Sequence, residues 1–247
     1  MAATAFDKLA RSYDEQWTRS PVGRLQRDAV WRHIEGLFPR GGTVLDLGCG
    51  TGEDALHLMN GGIRVEAVDS SSEMVRVARE RGVDARTLSI EDVGALDARF
   101  DGVISNFGAI NCVEDVSLLR GALARLVRPG GSVAICAMGR FCLWETAYHL
   151  LSFRPGKAFR RFSRRFATSS IGVPVYYPSV GKLVRALRPD FELLRCYGVG
   201  VAVPPSYIRL STVTLRWLAA MDRWSAHWPL VWALSDHRLL IFVRTRI

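Results

Sequence analysis

The sequence has no uninterrupted apolar run of membrane-spanning length, and its first residues lack the basic-then-apolar pattern of an export signal. Its five cysteines (Cys49, Cys112, Cys136, Cys142, Cys196) include no Cys-x-x-Cys pair, so neither a zinc site nor a disulfide framework is expected. Internal repeats and low-complexity linkers are missing as well. Cytoplasmic residence is the resulting expectation. What is present suits a folded domain: 247 residues, 49% hydrophobic and 23% charged, enough for one α/β domain with appended elements. Acidic residues are scarce in one half only. Residues 140–247 hold 17 Lys+Arg against 5 Asp+Glu, a net of +12, whereas residues 1–139 net −3. Such asymmetry suggests an acidic substrate, an anionic membrane surface or nucleic acid. Against the last stands the lack of any Asn/Asp-Pro-Pro-Tyr-type string or recognisable nucleic-acid-binding module.

The most informative stretch is Val44-Leu45-Asp46-Leu47-Gly48-Cys49-Gly50-Thr51-Gly52. An apolar β-type run breaks into three alternating glycines, and a helical pattern follows from Glu53. Without a Cβ, glycine permits a tight strand-to-helix turn and lets a bulky ligand lie against the backbone. After one more strand-like run (64–69) an acid, Asp69, arrives at the strand's C-terminal end, where open α/β sheets bind ligands. A carboxylate there can accept two hydrogen bonds from the vicinal hydroxyls of a ribose. Gly50-x-Gly52-x-x-Ala55 also fits the relaxed dinucleotide fingerprint, but Asp46 two residues before the first glycine gives the more specific Asp-x-Gly-x-Gly-x-Gly.

With that string the chain resembles the class I S-adenosylmethionine (SAM)-dependent methyltransferases, in particular the small-molecule group that includes the ubiquinone/menaquinone methyltransferases. The resemblance takes in Phe6-Asp7 to Tyr13-Asp14, the motif at 44–52, Asp69 to Met74, Phe100-Asp101 to Asn106, and Leu126 to Gly131, in family order across about 6–137. It implies a Rossmann-like, doubly wound, seven-stranded, mostly parallel sheet with the last strand antiparallel. Gly48, Cys49, Gly50 and Gly52 would approach the methionine and ribose portions of SAM, and Asp69 with Ser70 would take the ribose. Asp46 would organise the loop or a water near the amino group, with a turn-stabilising role as the alternative. Met74 would pack on adenine, or be an ordinary core methionine. Where the family carries an adenine-binding acid this chain has Ser89, which passes adenine recognition to the backbone at Ile90 and Glu91. Asn106, Phe107 and Asn111 follow the fourth strand beside the methionine ammonium. Tyr13, near Arg11, lies in a segment that folds over the cofactor in the family; packing of Phe6, Tyr13 and Trp17 onto the domain is the plainer reading.

Hydrophobic spacing predicts helices over 21–37, 53–60, 71–81, 115–127 and 178–188. Strands are expected at 43–48, 64–69, 84–88, 100–105, 132–137, 191–199 and 238–244. Ser70-x-x-Glu73 reads as a capping box, and Pro129-Gly130-Gly131 as a helix stop. The chain thus reads as a single domain, with a SAM-binding core at 1–139 and helical cap insertions at 140–175 and 204–235. In the first insertion, 156–166 is amphipathic as a helix: Phe159, Phe162 and Phe166 share one face, with Lys157, Arg160, Arg161, Arg164 and Arg165 opposite. It reads as a lid with phenylalanines inward, as a helix on an anionic membrane, or as a patch for an anionic substrate or nucleic acid. In the second, Trp217, Met221 and Trp224 at helical spacing read as a hydrophobic cap, followed by Trp228-Pro229 and Trp232.

The reaction implied is in-line transfer of the sulfonium methyl to a small organic acceptor (phenolic, carboxylated or lipid- and quinone-like), leaving S-adenosylhomocysteine. Positioning and desolvation supply most of the rate, and a base is needed only for an un-ionised nucleophile. His33, His149, Tyr176 and Tyr177 are the candidates, with no catalytic residue singled out. Tyr13, Trp17, Asn111, Arg140, Trp144, Tyr176 and Tyr177 are the expected substrate contacts, and no metal is implied. A nucleic-acid-modifying methyltransferase and a non-catalytic SAM- or NAD-binding protein are the alternatives.

Overall fold

The computed structural model describes residues 2–163, 166–169, 171–226, 228 and 231–246. Seven strands form one sheet among the described residues, all but the third carrying Val, Ile or Leu: β1 (Thr43–Leu47), β2 (Arg64–Asp69), β3 (Asp84–Thr87), β4 (Phe100–Ser105), β5 (Val127–Met138), β6 (Phe191–Val199) and β7 (His237–Arg244). Their spatial order is β3-β2-β1-β4-β5-β7-β6, with β7 antiparallel to both neighbours and the rest parallel, as expected. The order reverses beside β1 and β4, which opens a crevice at their C-terminal ends.

Among the described residues, eight helices of at least eight residues surround the sheet: α1 (Ala2–Tyr13), α2 (Pro21–Ile34), α3 (Glu53–Asn60), α4 (Ser72–Glu80), α5 (Leu119–Leu126), α6 (Leu143–Leu151), α7 (Val180–Leu187) and α8 (Thr212–Ser225). One core lies between the sheet and α5 and α7, and contains Leu45, Leu47, Val103, Val133, Leu123 and Leu187. The other lies against α2, α3 and α4, and contains Val44, Ile104, Ala134, Val30, Leu58 and Val75. Strand alternation sends Leu45 and Leu47 into the first and Val44 into the second. The same alternation drives Asp46 into the second core, beside α2 and α3.

Boundaries differ from the periodicity in instructive places. α2 stops at Ile34 because Gly36 turns left-handed (φ +71°), which carries Leu37 and Phe38 off the helix. α5 ends at Leu126, three residues before Pro129, because Val127 already pairs with Phe100; Pro129 and Gly130 lie in an irregularity of the β4–β5 pairing. The N-cap of α4 is Ser71, not Ser70: its hydroxyl accepts from Met74 N at 3.2 Å. The expected capping-box acid is replaced by one from far away, since Asp7 on α1 accepts from Ser71 Oγ (2.6 Å) and from Glu73 N (3.1 Å).

The largest departure is in the first insertion. Residues 156–166 do not form one amphipathic helix. A four-residue turn (Pro155–Ala158) and a 3-10 turn (Arg160–Phe162) are followed by a break and a small antiparallel ladder of Ala167–Thr168 with Pro174–Val175. Arg164 and Arg165 lie outside the described residues. The polarity is inverted: Arg161 is buried, whereas Phe159, Phe162 and Phe166 are each about half exposed, 44% at the least. The cause is electrostatic. Glu145 on α6 and Asp236 ahead of β7 are both buried, and Arg161 reaches both, at 2.8 and 2.6 Å. Arg160 adds a fork onto Glu145 at 2.9 and 3.1 Å. A helix register that turned these arginines to water would strand two carboxylates in low dielectric. Arg238 and Arg244 likewise donate to backbone carbonyls, so part of the +12 half is consumed internally.

Burial alone would raise the Glu145 carboxyl, but Arg161 and Arg160 hold it below the usual carboxylate range. For Asp236 the same opposition is won by His237 and Arg161. Arg161→Ala should therefore destabilise the protein by about 3–5 kcal/mol in urea titrations, because two buried acids lose their partner. Carboxyls depressed in the folded state stabilise fully above their unfolded values of about 4 and lose that contribution as pH falls through the folded ones. Glu145→Gln should accordingly flatten the acid limb of stability against pH.

Candidate functional site

The glycine loop is hooked to the neighbouring strand: Gly48 N and Cys49 N both donate to Val68 O, at 2.8 and 3.0 Å. Gly48, Gly50 and Gly52 have φ of +75°, +53° and +82°, the left-handed region that favours glycine. Their surroundings differ. A Cβ on Gly48 would meet Ala109 Cβ at 2.4 Å and one on Gly52 would meet Val83 Cγ2 at 3.0 Å, so these two serve close packing. At Gly50 nothing lies within 4 Å, which leaves backbone facing open space.

Asp69 stands beside that opening. Its Oδ2 accepts from Gly50 N and its Oδ1 from Ser71 N, both at 2.9 Å. A carboxylate offers about four lone-pair positions, so about two are left for a ligand. Burial raises the Asp69 carboxyl, against the two backbone donors that lower it. The N-terminal segment is fastened across this region. Asp7 grips Ser71 at one end, and Asp14 accepts from Thr51 Oγ1 (2.7 Å) and pairs with Arg81 (3.3 Å) at the other. Ser70 and Glu91 are exposed, while Met74 and Ile90 are buried at the inner side. Ser89 donates to Asp92 (2.7 Å) and accepts from its amide (3.1 Å), which closes a local turn.

Behind the loop sits a group that the sequence reading missed. Asp54 is buried and accepts from Arg27, from Trp31 Nε1 (2.7 Å) and from Asn106 Nδ2 (3.0 Å). Arg27 is buried too, with its guanidinium 4.9 Å from the Trp17 ring centroid and 5.0 Å from that of Phe107. The available signal was spacing: Arg27 precedes Val30 and Ile34 by three and seven residues, on the apolar face of α2. Asp46, 1% exposed, has an Oδ2 with no partner among the described residues. Burial first, and then the nearby Asp54, push its carboxyl well up. Cys49 is buried, and burial pushes its thiol up as well.

The aromatic residues converge. Tyr13 lies 6.1 Å from Trp17, Trp17 lies 4.7 Å from Phe107, and Phe107 meets the His237 ring edge-on at 5.5 Å. Burial lifts the Tyr13 hydroxyl to about 12, so it stays protonated at neutral pH. Phe107 is held at φ +46°, an uncommon conformation for a bulky residue. His237 begins β7 opposite Met138, the last residue of β5, with Nδ1 3.3 Å from Asp236 Oδ2. Asp236 connects through Arg161 to the Tyr177 ring, 5.4 Å from that guanidinium. His237 and Asp236 carry no motif, and only the fold brings them to Phe107.

Other expected contacts are used differently. Asn111 is fully buried; its amide donates to Met138 O (3.1 Å) and Tyr176 O (2.6 Å), and its Oδ1 accepts from Met138 N (2.8 Å). It is a tie between β5 and the segment at 176, with both amide protons committed, and not a ligand for cofactor or substrate. Trp144 Nε1 donates to Ala202 O at 2.9 Å, and Arg140 is exposed over Phe162. Tyr176 packs on Phe166 at 6.0 Å. Of the candidate bases, His33 stacks on Tyr197 (3.9 Å), and His149 is buried between Tyr148 and Tyr207.

A carboxyl raised in the folded state keeps a proton that the unfolded chain has released. Stability therefore falls as pH rises above the unfolded value of about 3.9, until the folded group itself ionises. Asp46→Asn should remove this slope and raise the melting temperature near pH 7, which thermal scans across pH will read.

Residues 45–135 match a family model described as a methyltransferase domain. A demethylmenaquinone methyltransferase of Mycobacterium sp. (strain KMS) is 34% identical over 138 residues, 54% of this chain and 58% of that protein. A ubiquinone biosynthesis O-methyltransferase of Xanthomonas axonopodis pv. citri is 35% identical over 150 residues, 54% of this chain and 60% of its own length. The chain thus spans little more than half the length of these curated relatives. Among solved structures, the 1,6-didemethyltoxoflavin-N1-methyltransferase of Burkholderia thailandensis, with bound 1,6-didemethyltoxoflavin and S-adenosylhomocysteine, shares the fold at a TM-score of 0.59 and 18% identity. It covers 99% of this chain, which covers 87% of it. Glycine loop, strand order and matched segment agree: residues 45–135 are similar to the methyltransferase-domain family, within a fold shared with a solved methyltransferase.

Proposed function

We propose that the protein transfers the methyl group of SAM to a small organic acceptor, with a phenolic or quinol-like hydroxyl as the preferred class. The observation that carries this reading is Asp69, whose oxygens each hold one backbone donor of the loop and keep lone pairs for a ribose diol beside the open side of Gly50. The residues present fit the ligand in a second respect: the unpartnered Asp46 Oδ2 is an unmet acceptor on the methionine side, suited to an ammonium or its water. The relatives named for menaquinone and ubiquinone biosynthesis support a quinone-like acceptor. When bound, SAM supplies an electrophilic methyl on its sulfonium sulfur.

The chain's own work is positioning and proton handling. Trp17, Phe107 and Tyr13 form an aromatic wall that excludes water from the crevice, and the Arg27 guanidinium fixes two of those rings from behind. For a hydroxyl acceptor, His237 takes the proton on the nitrogen opposite Nδ1, while Asp236 orients the ring through Nδ1. The Arg161 clamp fixes Asp236 in turn.

Two measurements check the proposal. Calorimetric titration should show binding of SAM and S-adenosylhomocysteine but not NAD, weakened on the order of a hundredfold by Asp69→Ala through two lost charge-assisted hydrogen bonds. Binding of NAD alone would overturn it. With a hydroxyl acceptor, His237→Gln should lower kcat by about 10²–10⁴, with S-adenosylhomocysteine affinity kept. An unchanged kcat would remove His237 from the chemistry.

A further inference from the structure

The second insertion leaves an unusual surface. α8 is anchored on its inner side: Leu215 and Ala219 pack with Val22 of α2, and Asp222 accepts from Ala202 N (2.6 Å) and Val203 N (3.1 Å). This sets the helix rotation and turns Trp217 (73% exposed), Trp224 (66%), Val213 and Met221 outward. At about 100° per residue these four fall within an arc of about 80°. Trp228 extends the stripe, its ring 4.3 Å from that of Trp224. The expected cap over the core thus faces the opposite way.

The exposed charges of α8 beside the stripe are both positive. Arg216 and Arg223 are exposed along one edge, and among the described residues neither forms an ion pair. The helix's one acid, Asp222, is buried beneath. Arg32 on α2 adds a third cation, its guanidinium pushed down by burial and the Arg223 charge against the opposing pull of Asp28 and Asp222. Pairing the stripe with itself about a two-fold axis would bring the Arg216 and Arg223 rows together with no exposed acid of α8 between them. An anionic lipid surface satisfies both features at once. Tryptophan and methionine enter the headgroup–acyl boundary, and arginines extend to phosphate while their stems stay on apolar surface.

We infer that the outward face of α8 docks on an anionic lipid surface, with Trp217, Met221 and Trp224 inserted and Arg216 and Arg223 on the lipid phosphates. The inference rests on α8 alone and is independent of the methyltransferase reading. It replaces the segment 156–166, whose Arg161 is buried, as the membrane-facing element.

The test is co-sedimentation of the full chain with phosphatidylcholine vesicles, with or without about one third phosphatidylglycerol, while tryptophan emission is followed. Pelleting with the anionic vesicles only, with a blue shift and salt sensitivity, is the expected result. Trp217→Ser/Trp224→Ser should cut the apparent affinity at least about tenfold. Arg216→Gln/Arg223→Gln should cut it about thirtyfold, a factor of about five for each cation near the surface. Retained S-adenosylhomocysteine binding or an unchanged circular dichroism spectrum establishes that both variants fold. No pelleting of the wild type, or pelleting that neither variant changes, overturns the inference. So does a wild-type dimer that the tryptophan variant splits in analytical ultracentrifugation, which would assign the stripe to a second copy of the chain.

Discussion

Carboxylates held in low dielectric dominate this molecule. Asp46, Asp54 and Asp69 cluster at the C-terminal edge of the sheet, and Glu145 and Asp236 lie under the insertions. A buried ionised acid is tolerable only with donors or a counter-charge. Asp54 takes Arg27, Trp31 and Asn106; Asp69 takes two loop amides; Glu145 and Asp236 share Arg161. Asp46 alone keeps an unmet oxygen. Much of the architecture around the crevice is the means by which those demands are met.

The arrangement also joins parts that are far apart in sequence. Arg27 is an ion-pair partner on one side and a cation under two aromatic rings on the other, so it couples α3 to the wall of the crevice. Arg161 links α6 to the start of β7, and through Asp236 it sets the residue that faces Phe107. The first insertion thereby bears on the geometry of the crevice without lining it throughout.

The sheet, the glycine loop and Asp69 were legible because local rules and the fold agree there: alternation, left-handed glycines and an acid at a strand end. The N-cap of α4 was misplaced by one residue because its acid, Asp7, comes from another helix. Residues 156–166 misled for a deeper reason. Amphipathic periodicity assumes that charge seeks water, and here two buried acids draw Arg161 inward and leave the phenylalanines at the surface. The same assumption turned the Trp217 stripe inward, whereas the inner face of α8 is made by Leu215, Ala219 and the bound Asp222. His237 had no motif to announce it, and only the strand order makes it a neighbour of the crevice. Asp54 follows the glycine loop by two residues, but nothing local announced its partners Arg27 and Asn106.

The grip of Asp7 on α4 couples two motions. One of the first amides of that helix, Glu73 N, and the capping hydroxyl of Ser71 both donate to Asp7 of α1, so the N-terminal segment cannot lift without fraying the turn at Ser71 to Met74. The adjacent Ser71 amide also holds Asp69 in place. Uncovering the crevice thus loosens the Asp69 carboxylate. If that carboxylate holds a ribose as proposed, release of the ligand and slackening of its hold would be one concerted event.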